Sequence, residues 1–515
     1  MFESEFVIGP RARVARGAHG EDPAAQLHTG NGRDRVGRFG LSGQPPGKFP
    51  DGLDEPSKPR QGMGFRLNPG PFPPHANPAN IFHLFPPIAK AMSNLLIRNL
   101  RFPKGESGHL RIEDGLIVEC GAGVEIPAEG DVLDGRGLLV LPGAIDMHVH
   151  FRTPGGEHKE TLLTGARAAV KGGTTTCGDM PNTSPRTTTL AALEDKIAKA
   201  EGAPANMLFN FGAEPDNLEQ VREAAGHPAV KALKIYMGPS TGQGGLAPRD
   251  VEAHFRNAAE LDLPIMVHAE DLEQIEANSG RFPHDVFHHH RLRSAEGERA
   301  AVVQAIAWAE RYGVRLYLAH CTMADAVTLA AQSASRDRIF VEVCPHHLTI
   351  PVESVAAPME NRFKVNPPLR TEAEREALFS CLAEGIDGLG SDHAPHTLEE
   401  KDAPYDDAPS GIPGVEYLFP LALDWLQGGA YGLERMIDLT SANVARFFGL
   451  NKGELAPGRD ADLVLVDEKA RWRIGEEDDQ VASKCGWTVY QGRPVTGRVR
   501  VTLVGGKVVF GKLAP

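Results

Sequence analysis

The alternation of apolar and polar positions divides the chain into segments of two styles. From Met92 onward, short alternating runs such as NLLIRNLRF and HLRIEDGLIVECG are separated by Gly and Asp turn signals. The same style returns near the C-terminus in TVYQGRPVTGRVRVTLVGGKVVF. We therefore predict a small β-sandwich domain built from both chain ends, residues 92–140 and 452–515, around a different domain at 141–451.

The middle domain alternates apolar strand runs with helix-like runs. Its predicted strands end at DMHVH, TTTCGDMP, MLFNFGAE, ALKIYMG, IMVHAE, LYLAH, FVEVCP and GLGSDHAP. Eight strand–helix units over about 300 residues are typical of an α/β fold of the (β/α)8 TIM-barrel type. The alternative, a doubly wound sheet, would need an early Gly-rich phosphate turn, which this sequence lacks.

Residues 1–91 have a different composition, dominated by Gly, Pro and charge without any helical or strand period. Such a segment buries too little apolar surface to offset its chain entropy. We expect it to be disordered, or a non-native extension from a start codon chosen too far upstream, with Met92 as the real start. A functional binding tail is the competing interpretation.

Composition excludes several classes of partner. The 515 residues are 41% hydrophobic and 24% charged with a net charge of −14, and no basic stripe interleaved with aromatics is present, so we expect no nucleic-acid partner. No apolar run approaches the roughly 20 residues of a membrane helix, and no secretory signal is visible. Six scattered cysteines without a C-x-x-C pair are typical of reduced thiols. We expect a cytoplasmic protein without a membrane partner.

Polar side chains follow the predicted barrel strands at their C-terminal ends, where barrels of this type carry their chemistry. His148 and His150 are two positions apart and share one face of an extended strand. A lone histidine there is usually a packed core residue, but a whole set at one rim indicates metal binding, because imidazole and carboxylate suit zinc. The set comprises His148, His150, Lys234, His268, His320 and Asp392.

Lys234 is unexpected in such a set, because an ammonium group is repelled by divalent cations. Burial and positive neighbours would both depress its pKa and leave a neutral amine. A neutral amine can add carbon dioxide to give a carbamate, whose two oxygens can bridge two metal ions. We therefore expect a carboxylated Lys234; the alternative is a surface lysine.

The set resembles the amidohydrolase superfamily, and the surrounding motifs resemble its dihydroorotase family. The runs HVHFR, DMPNTSP, VCPHHL, KVNPPLR and SDHAPHTLEEK carry the resemblance, which extends from about Met92 to the C-terminus. It implies two Zn²⁺ ions per subunit, one bound by His148, His150 and Asp392, the other by His268 and His320, with carboxylated Lys234 as the bridge. It also implies that Asp392 is the catalytic proton carrier and that the substrate is held by Arg152, Asn182, Asn366 and His396.

The implied activity is the reversible hydrolysis of the cyclic amide of (S)-dihydroorotate to N-carbamoyl-L-aspartate in de novo pyrimidine biosynthesis. Allantoinase, hydantoinase or dihydropyrimidinase activity is the alternative within the superfamily, and a non-catalytic scaffold relative is a further one. Arg152 favours a substrate that carries a carboxylate. We also expect a homo-oligomer, with aspartate carbamoyltransferase as a candidate partner.

Other polar runs carry weaker signals. The run His288 to His290 is interpreted as a solvated or helix-start cluster, and one of His346 and His347 as a residue that orients ligands. Glu342 is an outside candidate for an extra metal ion. The GPSTGQGG run and the LEEKDAPYDDAPSGIPG run lie beside the predicted rim, as either mobile lids or plain connecting loops.

Overall fold

The computed structural model describes residues 94–124, 131–240, 244–476 and 479–513. The interpretation of residues 1–91 as a disordered or non-native extension lies outside these ranges. Within them, no helix combines the length and apolar character that would allow it to cross a membrane.

The strands of the described residues form two separate sheets of eight. In chain order they are β1 (Asn94–Arg101), β2 (Ser107–Glu113), β3 (Leu116–Gly121), β4 (Asp131–Asp134), β5 (Leu139–Pro142), β6 (Ala144–Val149), β7 (Thr174–Asp179), β8 (Asn206–Gly212), β9 (Val230–Tyr236), β10 (Ile265–His268), β11 (Leu316–Leu318), β12 (Ile339–Val343), β13 (Gly388–Leu389), β14 (Leu463–Arg473), β15 (Pro494–Val504) and β16 (Lys507–Gly511).

Most of the α-helices alternate with the strands of the second sheet. They are α1 (Leu162–Gly172), α2 (Leu190–Lys199), α3 (Leu218–Ala225), α4 (Pro248–Glu260), α5 (Leu272–Ser279), α6 (His289–Leu292), α7 (Ala295–Tyr312), α8 (Ala324–Gln332), α9 (Pro345–Thr349), α10 (Glu372–Ser380), α11 (Leu398–Lys401), α12 (Leu418–Gln427), α13 (Leu433–Ile437) and α14 (Asn443–Phe448).

Strands β6 to β13 pair in parallel and in sequence order, which confirms the predicted barrel of eight strand–helix units. The segment after the last strand meets the first strand through a single bridge between His393 and Val149, where the His150 amide donates to the His393 carbonyl at 2.8 Å. This bridge closes the barrel. It also brings the residues that follow β13 beside the histidines that end β6.

Local sequence signals set the helix boundaries around the barrel. Helix α1 begins with a capping box between Thr161 and Thr164 and ends at Gly173, whose φ of 95° lies in the left-handed region that glycine adopts without steric cost. Helix α10 begins with the same device, between Thr371 and Glu374. Such caps satisfy backbone groups that the helix itself leaves unpaired.

Alternation along the strands determines which side chains enter the barrel. On β9, Leu233 and Ile235 pack into the large cluster with the surrounding helices, whereas Ala232 belongs to a second cluster with Met266. Because strand side chains repeat every two residues, Lys234 lies on the same face as Ala232. The apolar pattern of β9 therefore directs a lysine into the barrel interior.

The other sheet combines both ends of the described chain. Its strand order is β16-β15-β14-β5-β1-β2-β3, with β4 paired to β1, and β14 joins β5 antiparallel. The expected sandwich is thus one continuous sheet of eight strands. Residues from its two halves, such as Leu110 and Leu503, share one apolar cluster, so both chain ends are needed to bury it.

Candidate active site

Three predicted ligands converge where β6 ends and β13 is followed by Asp392. One carboxylate oxygen of Asp392, Oδ1, lies 3.2 Å from His148 Nε2 and 3.1 Å from His150 Nε2. The ligand atoms of these residues all lie within 4.8 Å of one another, and all three side chains are buried. Two imidazole nitrogens and a carboxylate at this spacing form a donor set that fits a divalent cation.

The opposite ring nitrogens are held by other residues. His148 Nδ1 lies 2.8 Å from Glu342 Oε1, and His150 Nδ1 lies 2.6 Å from the Asn182 side-chain oxygen. An Nδ1–H that donates to such an oxygen leaves the Nε2 lone pair facing Asp392, which is how metal-binding histidines are usually oriented. Burial lowers the pKa of His150 to about 4, so its ring is neutral and able to act as a ligand.

Glu342 connects this cluster to the next strand. The same Oε1 atom accepts the backbone N–H of His320 at 2.7 Å, and Oε2 accepts the Tyr317 hydroxyl at 2.7 Å. Glu342 therefore orients two histidine positions from inside the barrel. Sequence reasoning considered it only as an outside metal ligand, because nothing along the chain shows that it faces His148.

His268 and His320 form a second pair beside the first. His268 Nδ1 lies 2.9 Å from His320 Nε2, and the ring centres of His320 and His148 are 5.1 Å apart. Burial holds the pKa of His320 well below its usual value, and burial lowers that of His268. All four predicted histidines thus lie together, and three of them are held neutral by burial.

Glu270 and Arg293 support this pair, and sequence reasoning missed both. Glu270 Oε2 lies 2.7 Å from His268 Nε2, and the Arg293 Nε atom donates to Glu270 at 3.0 Å. Burial alone would raise the pKa of Glu270, but the Arg293 guanidinium holds it below its usual value. The available signal for Glu270 was its position two residues after His268 in VHAED.

Lys234 lies among these groups without a hydrogen-bond partner for its buried Nζ atom in the described part of the chain. Burial lowers its pKa to about 8, against the opposing effect of Asp392 and Glu342. Lys196, also fully buried, pairs with Asp179 and donates to the Met180 carbonyl at 2.6 Å. A buried, unpaired amine is unusual, because leaving such a group unsatisfied costs on the order of several kcal/mol.

Three site residues adopt a strained backbone conformation. Arg152, His320 and Asp392 have φ angles of 59°, 40° and 43°, in the left-handed region that residues with a Cβ atom rarely adopt. Each such residue costs about 1–3 kcal/mol, which the surrounding structure must offset. Their occurrence together indicates that positioning these side chains takes precedence over backbone stability.

A small cavity opens beside the histidine and aspartate cluster. It brings together three of the four residues predicted to hold the substrate, on the side of the cluster where Asp392 lies. The lining residues are His150, Arg152, Asn182, Ser240, Val365, Asn366, Asp392, Ala394, Ser410 and Gly411.

His396 lies behind Arg152 and not in the lining of this cavity. Arg152 Nη2 lies 3.1 Å from His396 Nε2, and Arg152 Nε donates to the Pro395 carbonyl at 3.1 Å. Lys159 Nζ lies 3.0 Å from the other ring nitrogen of His396. His396 therefore contacts the predicted carboxylate-binding arginine, which it helps to orient.

Asn366 is held by His289, which the sequence analysis interpreted as part of a solvated or helix-start cluster. His289 Nε2 lies 2.8 Å from Asn366 Oδ1, and His289 Nδ1 lies 2.6 Å from the Tyr405 hydroxyl. The predicted helix start is present, since His289 begins α6, but the side chain is buried and not solvated. Burial lowers its pKa to about 3.

The segment after His396 is attached to the one that carries Asn366. Lys401, fully buried, donates to the carbonyls of Lys364 and Pro409 at 2.9 Å each. Arg362 forms two hydrogen bonds of 2.7 Å with Asp402. Such contacts are those of an anchored loop, and they favour the connecting-loop interpretation over a mobile lid.

The barrel and the cluster of histidines, lysine and aspartate at its rim define a class of hydrolase. Residues 139–509 match the amidohydrolase family, and the chain belongs to that family. Its sequence is 38% identical over 400 residues to a dihydroorotase of Halobacterium salinarum, which covers 75% of this chain and 92% of the relative. A dihydroorotase of Anaeromyxobacter dehalogenans is 36% identical over 77% of this chain and 92% of its own length.

Solved structures with the same architecture include relatives that are named for other ring substrates. The L-hydantoinase (dihydropyrimidinase) of Arthrobacter aurescens has a TM-score of 0.75 at 28% identity, covering 82% of this chain and 98% of that one. The dihydropyrimidinase of Brevibacillus agri has a TM-score of 0.74 at 25% identity, covering 81% and 95%. Within the family, the sequence thus resembles dihydroorotases, and the fold is shared with hydantoinases.

Proposed function

We propose that the protein catalyses the dihydroorotase reaction, the reversible hydrolysis of the cyclic amide of (S)-dihydroorotate to N-carbamoyl-L-aspartate. The observation that carries this proposal is the grouping of Arg152, Asn366 and Asp392 around one small cavity beside four histidines. In this cavity the Arg152 guanidinium can bind the carboxylate of the substrate, and the Asn366 amide can pair with an amide group of its ring. The Asp392 carboxylate can carry a proton during the reaction.

We propose that two Zn²⁺ ions bind beside this cavity. His148, His150 and Asp392 would hold one ion, His268 and His320 the other, and carboxylated Lys234 would bridge them. Three observations support this assignment: all six side chains are buried, burial lowers the pKa of His150 and His320, and the Lys234 amine is unpaired within the described residues. Bound zinc would polarise the ring carbonyl and lower the pKa of the attacking water.

Asp392 is the residue that we propose moves the proton. Burial would raise its pKa, but His148 and His150 hold the pKa well below its usual value, so the carboxylate is ionised at neutral pH. It can then accept a proton from the attacking water at its carboxylate and return it to the departing ring nitrogen. In the ring-closing direction the same proton moves the opposite way.

The substrate carboxylate would bind to Arg152. The Pro395 and His396 contacts use Nε and Nη2 of its guanidinium, which leaves Nη1 to donate to a carboxylate. Asn182 lines the same cavity. Asn366, with Oδ1 held beside His289, can donate its NH₂ group to a ring carbonyl.

Hydantoinase or dihydropyrimidinase activity is the second candidate, because the structural relatives bear those names. Arg152 distinguishes the two, since dihydrouracil lacks a carboxylate and dihydroorotate has one. We expect measurable turnover of dihydroorotate and at most weak turnover of dihydrouracil and allantoin by the same zinc-loaded preparation. Faster turnover of dihydrouracil than of dihydroorotate would overturn the proposal in favour of the second candidate.

We also propose a cytoplasmic role in pyrimidine biosynthesis and a homo-oligomeric state, with aspartate carbamoyltransferase as a candidate partner. Light scattering of the purified chain, alone and mixed with that enzyme, would test the assembly. A monomer that is unchanged by mixing would contradict both assembly proposals.

A further inference from the structure

A second cluster of metal-ligating side chains follows β12. Cys344 comes directly after this strand, and His346 and His347 lie in the short helix α9 that begins at the next residue. One ligand atom from each of the three lies within 4.8 Å of the others. The exposed fractions of the three residues are 0%, 0% and 3%. None of them belongs to the six-residue set of the proposed zinc centre.

His347 has a defined free lone pair. Its Nε2 lies 3.0 Å from the Pro367 carbonyl oxygen, which can only accept, so Nε2 carries the hydrogen. In an unprotonated imidazole, the hydrogen occupies only one of the two ring nitrogens. Nδ1 therefore carries a lone pair, and it has no hydrogen-bond partner among the described residues. A ring nitrogen bonded to a backbone carbonyl opposite a free one is the usual arrangement of a metal-ligating histidine.

His346 is more unusual, because neither ring nitrogen has a hydrogen-bond partner within the described ranges. A neutral imidazole always has one N–H donor and one lone pair, and leaving a buried donor or acceptor unsatisfied costs about 1–3 kcal/mol. Its ring centre lies 4.1 Å from that of His347. A metal ion that accepts a lone pair from each ring would satisfy both free acceptors, and among these ring nitrogens only the N–H of His346 would stay unpaired.

We propose that Cys344, His346 and His347 bind a thiophilic transition-metal ion of the zinc class, at a position distinct from the centre formed by His148, His150 and Asp392. One thiolate and two imidazoles are ligand types that such ions prefer, and three protein ligands suffice for zinc. Binding would displace the thiol proton to solvent, because a coordinating thiol is deprotonated.

The charges around the cluster are compatible with this ion. A divalent cation with one thiolate and two neutral imidazoles retains one positive charge. Glu342, which is not a ligand of the proposed dinuclear centre, is close enough to Cys344 to raise the pKa of its thiol, after burial, so its negative charge would also stabilise a cation there. Without the ion, the thiol keeps its proton.

Binding of the ion would restrain the segment next to the proposed substrate cavity. Pro367, the partner of His347, follows Asn366, which lines the proposed substrate cavity. The ion would therefore connect the end of β12 to the segment that carries Asn366. This role adds rigidity and does not require the ion to touch substrate.

Cobalt substitution tests the site independently of catalysis. The full chain is stripped with a chelator, reloaded with Co²⁺, and its near-ultraviolet spectrum is recorded. The proposed dinuclear centre offers only nitrogen and oxygen ligands, so a thiolate-to-cobalt charge-transfer band can arise only from a cysteine ligand. We expect this band in the parent protein and in Cys321→Ala, which removes a different buried thiol next to His320. We expect it to be lost in the nearly isosteric Cys344→Ser and weakened in His346→Ala.

Metal content provides the second readout. Cys344→Ser should bind about one metal equivalent fewer per chain than the parent protein and Cys321→Ala. Absence of a thiolate band in the parent protein would overturn the proposal even if Cys344→Ser failed to fold. A band that persists in Cys344→Ser or disappears in Cys321→Ala would also overturn it.

Discussion

Glu342 Oε1 lies 2.8 Å from Nδ1 of His148, and this contact directs the opposite nitrogen of the ring toward Asp392. The pair joins β12 to β6 across the barrel interior. Because the carboxylate also binds the His320 backbone, one buried acid holds histidines of both proposed zinc positions. We therefore expect metal affinity to depend on a residue that is not itself a ligand.

Replacing Glu342 with Gln should weaken zinc binding by roughly 10- to 100-fold, because an amide orients an imidazole less well than a carboxylate does. Competition with a chromophoric chelator measures the affinity. Glu298→Gln is the matched control, since Glu298 is equally buried but bonded to Arg370 and Thr322. Equal losses in both variants would show that the effect is general destabilisation.

Carboxylation of Lys234 should make metal loading dependent on bicarbonate. Protein refolded without bicarbonate should bind less zinc and recover both metal and activity when bicarbonate is added, because the bridging carbamate cannot otherwise form. With ¹³C-labelled bicarbonate, the zinc-loaded protein should show a carbamate carbon resonance that Lys234→Arg lacks. Lys196→Arg is the control, because that buried lysine is already paired. Metal loading that is indifferent to bicarbonate would contradict the carbamate.

Asp392→Asn should retain much of the bound metal and lose turnover. An amide oxygen can still be a weak ligand, but it cannot accept the proton of the attacking water at neutral pH. We expect kcat to fall by about 10²- to 10⁴-fold, the usual contribution of a general base. Metal analysis of the same preparation separates the two roles. Near-normal kcat in a metal-loaded variant would remove Asp392 from proton transfer.

Arg152→Ala should weaken the use of dihydroorotate and leave any residual turnover of dihydrouracil unchanged. Loss of a hydrogen bond to a charged group costs about 1.5–3 kcal/mol, which corresponds to roughly a 10- to 100-fold fall in kcat/KM. Arg152→Lys should recover part of the loss, since it keeps the charge without the planar fork. Equal effects on both substrates would contradict a carboxylate contact.

The free energy of unfolding should decrease as the pH falls, and His289 should contribute to this decrease. Its pKa is about 3 in the folded protein and about 6.5 when unfolded, so the unfolded state binds more protons between these values. The free energy of unfolding should therefore fall as pH drops from about 6.5 toward 3, by up to about 1.4 kcal/mol per pH unit from this residue.

His289→Gln should be less stable than the parent protein at neutral pH, and the difference should narrow as the pH falls. Urea unfolding at several pH values between about 7 and 5 measures both slopes. An equal pH slope in the two proteins would show that His289 is not held neutral by burial. Loss of the contact with Asn366 should also lower kcat/KM for dihydroorotate.

Much of the fold was predictable from the chain because strand alternation and helix caps are local properties. The eight apolar runs that end in polar residues correspond to β6 through β13, and Lys234 follows the alternation of β9 into the barrel. Local pattern did not show that β14 pairs with β5 to make one continuous terminal sheet, because that pairing joins segments more than 300 residues apart.

For the candidate site too, some features were predictable from the sequence and others were not. The residue types and their strand-end positions in the sequence pointed to His148, His150, Lys234, His268, His320 and Asp392, because a barrel places all strand ends at one rim. The sequence did not reveal that Glu342 and Asn182 orient the first two histidines, that His396 lies behind Arg152, or that His289 is buried against Asn366. Those relationships depend on directions and distances between side chains far apart in the chain, and only tertiary packing determines them.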